Sequence, residues 1–156
     1  MLNLGANDAS LSIEVRGYQF PDAAMGGWDS EWLQVHGSAE CPQGRWRFSD
    51  PCLTTFELAH LATWLRGVPT RGHVREMEFV EPCLRFEHVE RSDGDVLIVR
   101  LSQEASPPWA TESQRYGDGV ALEFPFSALD FETMASAVSE MCGKYPQRTR
   151  GDAGFK

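Results

Sequence analysis

Lysine is nearly missing from this sequence. Only Lys144 and Lys156 join the twelve arginines among 14 basic residues, against 23 acidic ones. At a net charge of −9, the chain lacks the clustered cations that phosphate binding demands, which argues against nucleic acid as a partner. A polybasic membrane patch is missing for the same reason. No apolar run approaches the ~20 residues that span a bilayer. Met1 to Asp8 lacks the basic start and apolar core of a secretory signal, so a cytoplasmic location is expected. Cysteine is sparse and scattered: Cys41, Cys52, Cys83 and Cys142 include no C-x-x-C, and no His pair stands at ligand spacing. That pattern gives no ground for a zinc site and points to reduced, mostly buried thiols. A glycine-rich phosphate loop, H-E-x-x-H, G-x-S-x-G and an EF-hand loop are all missing too. No catalytic residue, no metal ligand and no cofactor is therefore assigned.

What is present suits a folded domain. The 156 residues are 42% hydrophobic and 24% charged, enough to bury about 70% of the unfolded surface. Three segments are expected: a flexible N-terminus over 1–10, a single α+β domain over 11–146, and a basic flexible C-terminal tail over 147–156. The tail holds Arg148, Arg150 and Lys156 against Asp152; without it the chain carries 11 cations and 22 acids, a net charge of −11.

Leu11 to Arg16 alternates apolar and polar residues, the mark of a half-buried strand. Gly17 precedes a change of parity and suggests a β-bulge. Pro21 ends the strand, and a loop over 21–30 carries Gly26-Gly27 at its tip. Leu33, Val35, Gly37 and Ala39 share one face of the next strand. Cys41-Pro42-Gln43-Gly44 turns it into a partner in which Trp46 and Phe48 point inward. Thr54-x-x-Glu57 is a capping box opening a helix that Gly67 and Pro69 end. A strand-rich stretch follows, turned at Asp93-Gly94. Its Val96-Leu97-Ile98-Val99 run is apolar throughout and belongs to a central strand. Residues 102–118 form a polar loop, and Gly119 to Phe126 another strand. Phe131, Met134, Ala135, Val138, Met141, Cys142 and Tyr145 form one apolar helical stripe, which Ser127 or Asp130 can cap. The order predicts α+β: an antiparallel sheet of about six or seven strands with two helices packed on it, on one face.

His36, His60, His73 and His88 lie on separate elements, each read as surface or satisfied rather than as a base. Acidic pairs such as Glu76/Glu78 and Asp93/Asp95 fit solvated strand faces and turns. Two features exceed that background. Asp50-Pro51-Cys52-Leu53 and Glu81-Pro82-Cys83-Leu84 share the form acid-Pro-Cys-Leu. A Pro that fixes the chain at a sheet edge with Cys and Leu packed behind it explains the echo; a paired-Cys switch is the alternative. Trp28 and Trp109 stand in loops, where each either anchors a partner or packs down as a lid.

Tyr18-x-Phe20-Pro21, Trp32-Leu33-x-Val35-x-Gly37, the run from Trp46 through Asp50-Pro51-Cys52-Leu53-Thr54 to Phe56-Glu57-Leu58, and Leu61-x-x-Trp64-Leu65 occur in that order. Glu81-Pro82-x-Leu84-x-Phe86 and Glu123-Phe124-Pro125 follow them. This succession resembles the WapI family of bacterial immunity proteins over residues 11–146. The resemblance implies a non-enzymatic antitoxin that occludes the toxic domain of a contact-delivered polymorphic toxin, often a nuclease. The matching residues are scaffold, so they supply no interface.

An acidic body suits a basic cognate toxin domain, because complementary charge speeds encounter. Partner contacts are expected from Asp22, Trp28, Asp29 and Glu31 in the first loop, Asp93 and Asp95 at the hairpin tip, and Trp109 and Glu112 in the long loop, on a monomer or weak homodimer. Competing readings are a ligand-binding or assembly domain, which needs an apolar cavity or symmetric patch, and a small enzyme with a carboxylate or Cys in a loop-lined cleft.

Overall fold

The computed structural model describes residues 1–23 and 27–148. The expected glycine tip at Gly26 and the end of the tail, 149–156, lie outside the described residues. Four antiparallel strands form the first sheet in the order β1 (Leu2–Gly5), β2 (Ser10–Tyr18), β3 (Trp32–Cys41) and β4 (Gly44–Thr54). The segment 1–10, expected as a flexible end, holds β1 and the first residue of β2. Leu2 and Leu4 are buried opposite Ile13 and Leu11. The first strand takes its apolar face from two leucines at a spacing of two.

Glycine enters this sheet for two reasons. At Gly17 the β2–β3 register shifts, which is the expected bulge. Gly37 pairs with Phe48 across β3 and β4, and the Phe48 ring lies where a Cβ on Gly37 would be. A second register shift in the β3–β4 pair carries one extra residue on β4. Val35 pairs with Asp50 but Leu33 with Leu53, so Pro51 and Cys52 span a bulge. Proline lacks the donor a ladder needs, and a bulge on an edge strand tolerates it.

The second sheet has the order β5 (Glu76–Glu78), β6 (Leu84–Val89), β7 (Val96–Leu101) and β8 (Val120–Pro125), again antiparallel. The α+β class and antiparallel pairing hold, but eight strands in two sheets replace the expected single sheet. Strand β4 passes into a helix at Thr54 and carries Pro51 on its edge, so the later strands start a new sheet instead of extending the first. Central β7 is buried over Val96 to Val99, as its unbroken apolar run predicts.

Helix α1 (Thr55–Gly67) opens with the capping box: the Glu57 N–H donates to Thr54 Oγ1 at 3.2 Å, and the Thr54 N–H to Glu57 Oε1 at 3.1 Å. A single-turn α2 (Glu112–Arg115) interrupts the long loop. Asp130 caps α3 (Phe131–Lys144), accepting from the Thr133 N–H at 3.0 Å. Leu58, Leu61 and Leu65 of α1 and Met134, Val138 and Met141 of α3 join the inner faces of both sheets in one continuous core. No helix among the described residues is long and apolar enough to cross a membrane.

Gly37→Ala should destabilise the protein by about 1–3 kcal/mol, since a methyl group must displace a packed aromatic ring. A urea denaturation midpoint equal to that of the parent would contradict the Gly37–Phe48 packing.

Candidate partner-binding surface

Residues 19–23 and 27–31 are tied down from the far end of the chain. The Arg148 guanidinium donates to the carbonyls of Phe20, Pro21, Ala23 and Ser30 at 3.0 to 3.4 Å. It also sits 4.5 Å from the centre of the Tyr18 ring. Tyr18 packs edge-on to Tyr145 and donates to the Pro146 carbonyl at 2.6 Å. Burial, first of all, pushes the Tyr18 phenol above its usual range. Arg148 is thus a docked residue, although it belongs to the segment read from sequence as a flexible tail.

Glu31 explains the arrangement. Its side chain has 0% exposure, and its carboxylate accepts from the Thr55 hydroxyl and, at 2.8 Å, from the Arg148 N–H. A buried carboxylate needs such donors. Glu31 therefore cannot be a partner contact, as its place beside a loop suggested; it links loop, helix start and C-terminal segment. Asp22 and Asp29 remain exposed on the same loop. Trp28 is 43% exposed and stacks on Phe56 with ring centres 6.4 Å apart.

Beside this loop lies a concavity of about 430 Å³, lined by the acids Asp29, Asp50, Glu81 and Glu104, with Phe20 and Trp32 in its wall. None of these four acids forms an ion pair with an arginine or lysine among the described residues. Burial raises the Asp50 carboxyl above the usual carboxylate range; the Cys83 thiol opposes this by donating to it, and the charge of Glu104 reinforces it. Asp50, Glu81 and Glu104 went unassigned in the sequence reading because they come from three segments, and no local pattern brings them together.

Only Asp29 of the eight expected contacts lines this concavity. Trp109 is 39% exposed and lies edge-on to Trp46, over Gly44. Gly44 is six residues from Asp50 along β4, roughly 20 Å at strand rise. Glu112 is exposed in the first turn of α2 and Asp93 in the β6–β7 turn.

Asp95 is committed to an internal network that the sequence did not reveal. Its Oδ2 lies 2.7 Å from His88 Nε2, and His88 Nδ1 lies 2.8 Å from His73 Nε2. Arg75 Nη1 donates to His88 Nδ1 at 2.9 Å, while its Nη2 pairs with Glu90. Both nitrogens of His88 are occupied by protein groups. The network ties the α1–β5 linker to β6 and the start of β7.

Arg148→Ala should lower stability by about 1–2 kcal/mol, because its bonds to four carbonyls are charge-assisted but partly solvated. Amide hydrogen exchange should speed up over 19–23 and 27–31 and stay unchanged in β7. Unaltered exchange in that loop would show that Arg148 does not hold it.

Comparison with curated proteins finds no match to the chain. A family match covers residues 1–146 and so takes in every element from β1 to α3. By that match, the chain belongs to the Immunity protein WapI-like family.

Proposed function

We propose that this protein is a cytoplasmic immunity protein that binds the toxic domain of a cognate polymorphic toxin and occludes its working surface without chemistry of its own. Family membership carries the reading. The acidic concavity supports a place for the contact. Asp29, Glu81 and Glu104 offer negative charge without arginine or lysine partners among the described residues, and Phe20 and Trp32 supply apolar wall. A lysine or arginine side chain fits such a setting, with its charge on the carboxylates and its stem along the rings. A basic toxin domain, a nuclease being one instance, carries many such side chains.

Asp22 and Trp28 adjoin this surface through the 19–31 loop and extend the proposed contact. Asp93 and Asp95 at the β6–β7 turn, and Trp109 and Glu112 in the 102–118 loop, are retained as separate proposed contacts, with Asp95 reaching a partner only while held by His88.

The first test is whether a large secreted toxin ending in a small basic domain is encoded beside this gene; that C-terminal domain is then the binding probe. Asp29→Lys with Glu81→Lys should weaken its binding tenfold or more at low salt and leave the melting curve native. Asp93→Lys with Glu112→Lys should have the smaller effect. A larger effect from the second pair would move the contact away from the concavity. Failure of the parent protein to bind the toxin domain, or to protect cells from it, would overturn the immunity reading.

A further inference from the structure

The two acid-Pro-Cys-Leu segments meet in the fold. Asp50 and Cys52 lie in the bulged part of edge strand β4, and Cys83 directly precedes β6 of the other sheet. One donor atom from each of Asp50, Cys52 and Cys83 lies within 4.8 Å of the other two. We propose that these three residues form a binding site for a thiophilic divalent cation, zinc above all, that joins the two sheets.

The donor set suits such an ion. Two sulfurs and one carboxylate select a borderline-soft cation over magnesium or calcium. With Zn–S near 2.3 Å and Zn–O near 2.0 Å, a tetrahedron has an S···O edge of about 3.5 Å and an S···S edge of about 3.8 Å. The observed Cys83 Sγ to Asp50 Oδ2 distance is 3.5 Å. Charge is also conserved. The cation displaces one proton from each thiol to solvent, and two sulfur–metal bonds replace two S–H bonds. Asp50 keeps its charge throughout. The site's net charge is the same before and after, so loading adds no uncompensated charge to the interior.

The site is also held in place and reachable. Both cysteines have 0% exposure, and Leu53 and Leu84 behind them are buried. Ser102 fixes the second segment: its N–H donates to the Cys83 carbonyl at 2.9 Å and its hydroxyl to the Pro82 carbonyl. Asp50 contacts the Cys83 thiol and also lines the acidic concavity, so its carboxylate connects solvent with the sulfurs. Gln103 adopts φ 51°, a left-handed conformation uncommon for a residue other than glycine, just before Glu104, whose charge acts on both Asp50 and Cys52. Water is left to complete the fourth position. The other grouping of this kind among the described residues, His88, Glu90 and Asp95, already contains the Arg75 guanidinium in contact with His88 and Glu90. A cation is in residence there.

This inference is independent of the partner-binding reading, and its test needs no toxin. The reduced full chain is titrated with Co²⁺. The expected result is one ion per chain, a thiolate-to-cobalt charge-transfer band in the near ultraviolet, release of two protons, and displacement by Zn²⁺. Cys52→Ser and Cys83→Ser should each lose binding, and Asp50→Asn should weaken it. A Cys41→Ser/Cys142→Ser chain, which leaves the proposed pair as the sole thiols, should retain the full band. That variant keeps the test decisive if the single replacements do not fold. Absence of the band in the reduced parent chain, or its loss when only Cys41 and Cys142 are replaced, would overturn the proposal.

Discussion

One extra residue in β4 decides where the molecule's two halves meet. Pairing with β3 steps from Val35–Asp50 to Leu33–Leu53, and the slack falls at Pro51 and Cys52. A bulge bends its strand and re-aims side chains. Here it brings Asp50 and Cys52 to the segment that opens β6, and sends the chain into α1 through the Thr54 cap. The second sheet, the acidic concavity and the thiol pair all depend on that step. A regular β4 would put Asp50 and Cys52 on a plain pleated edge, with Pro51 interrupting a ladder instead of occupying a bulge.

Glu31 plays a comparable part for the surface. Its buried carboxylate requires donors, and the fold supplies them from Thr55 at the start of α1 and from Arg148, 117 residues away in sequence. The loop that presents Asp29 and Trp28 is thereby fastened to the helix layer and to the C-terminal segment. A surface held in this way loses less conformational freedom on binding than a loose loop would.

Much of the fold was legible locally. The alternation in β2, β3 and β4, the Gly17 bulge, the Thr54–Glu57 box and the α3 stripe each state their structure within a short stretch of sequence. Strand β1 was missed because Leu2 and Leu4 alone carry its period. The split into two sheets was missed because pairing between distant strands leaves no local mark. The site divided in the same way. Asp29, expected as a contact from its place beside a loop tryptophan, is exposed and lines the concavity. Glu31 looked identical in sequence and proved buried, since its partners lie at Thr55 and Arg148. The acid-Pro-Cys-Leu echo was visible as a repeat. Its meaning, two thiols and a carboxylate in contact, depended on the packing of one sheet against the other.

In the function proposed, a basic toxin domain docks at the acidic concavity. Amide hydrogen exchange of this protein, alone and saturated with a cognate basic toxin domain, tests that most directly. Protection is expected to concentrate at Gln19–Phe20, Asp29–Trp32 and the backbone around Asp50, Glu81 and Glu104. Protection confined to β8 and the turn between β3 and β4, with these segments unchanged, would contradict it.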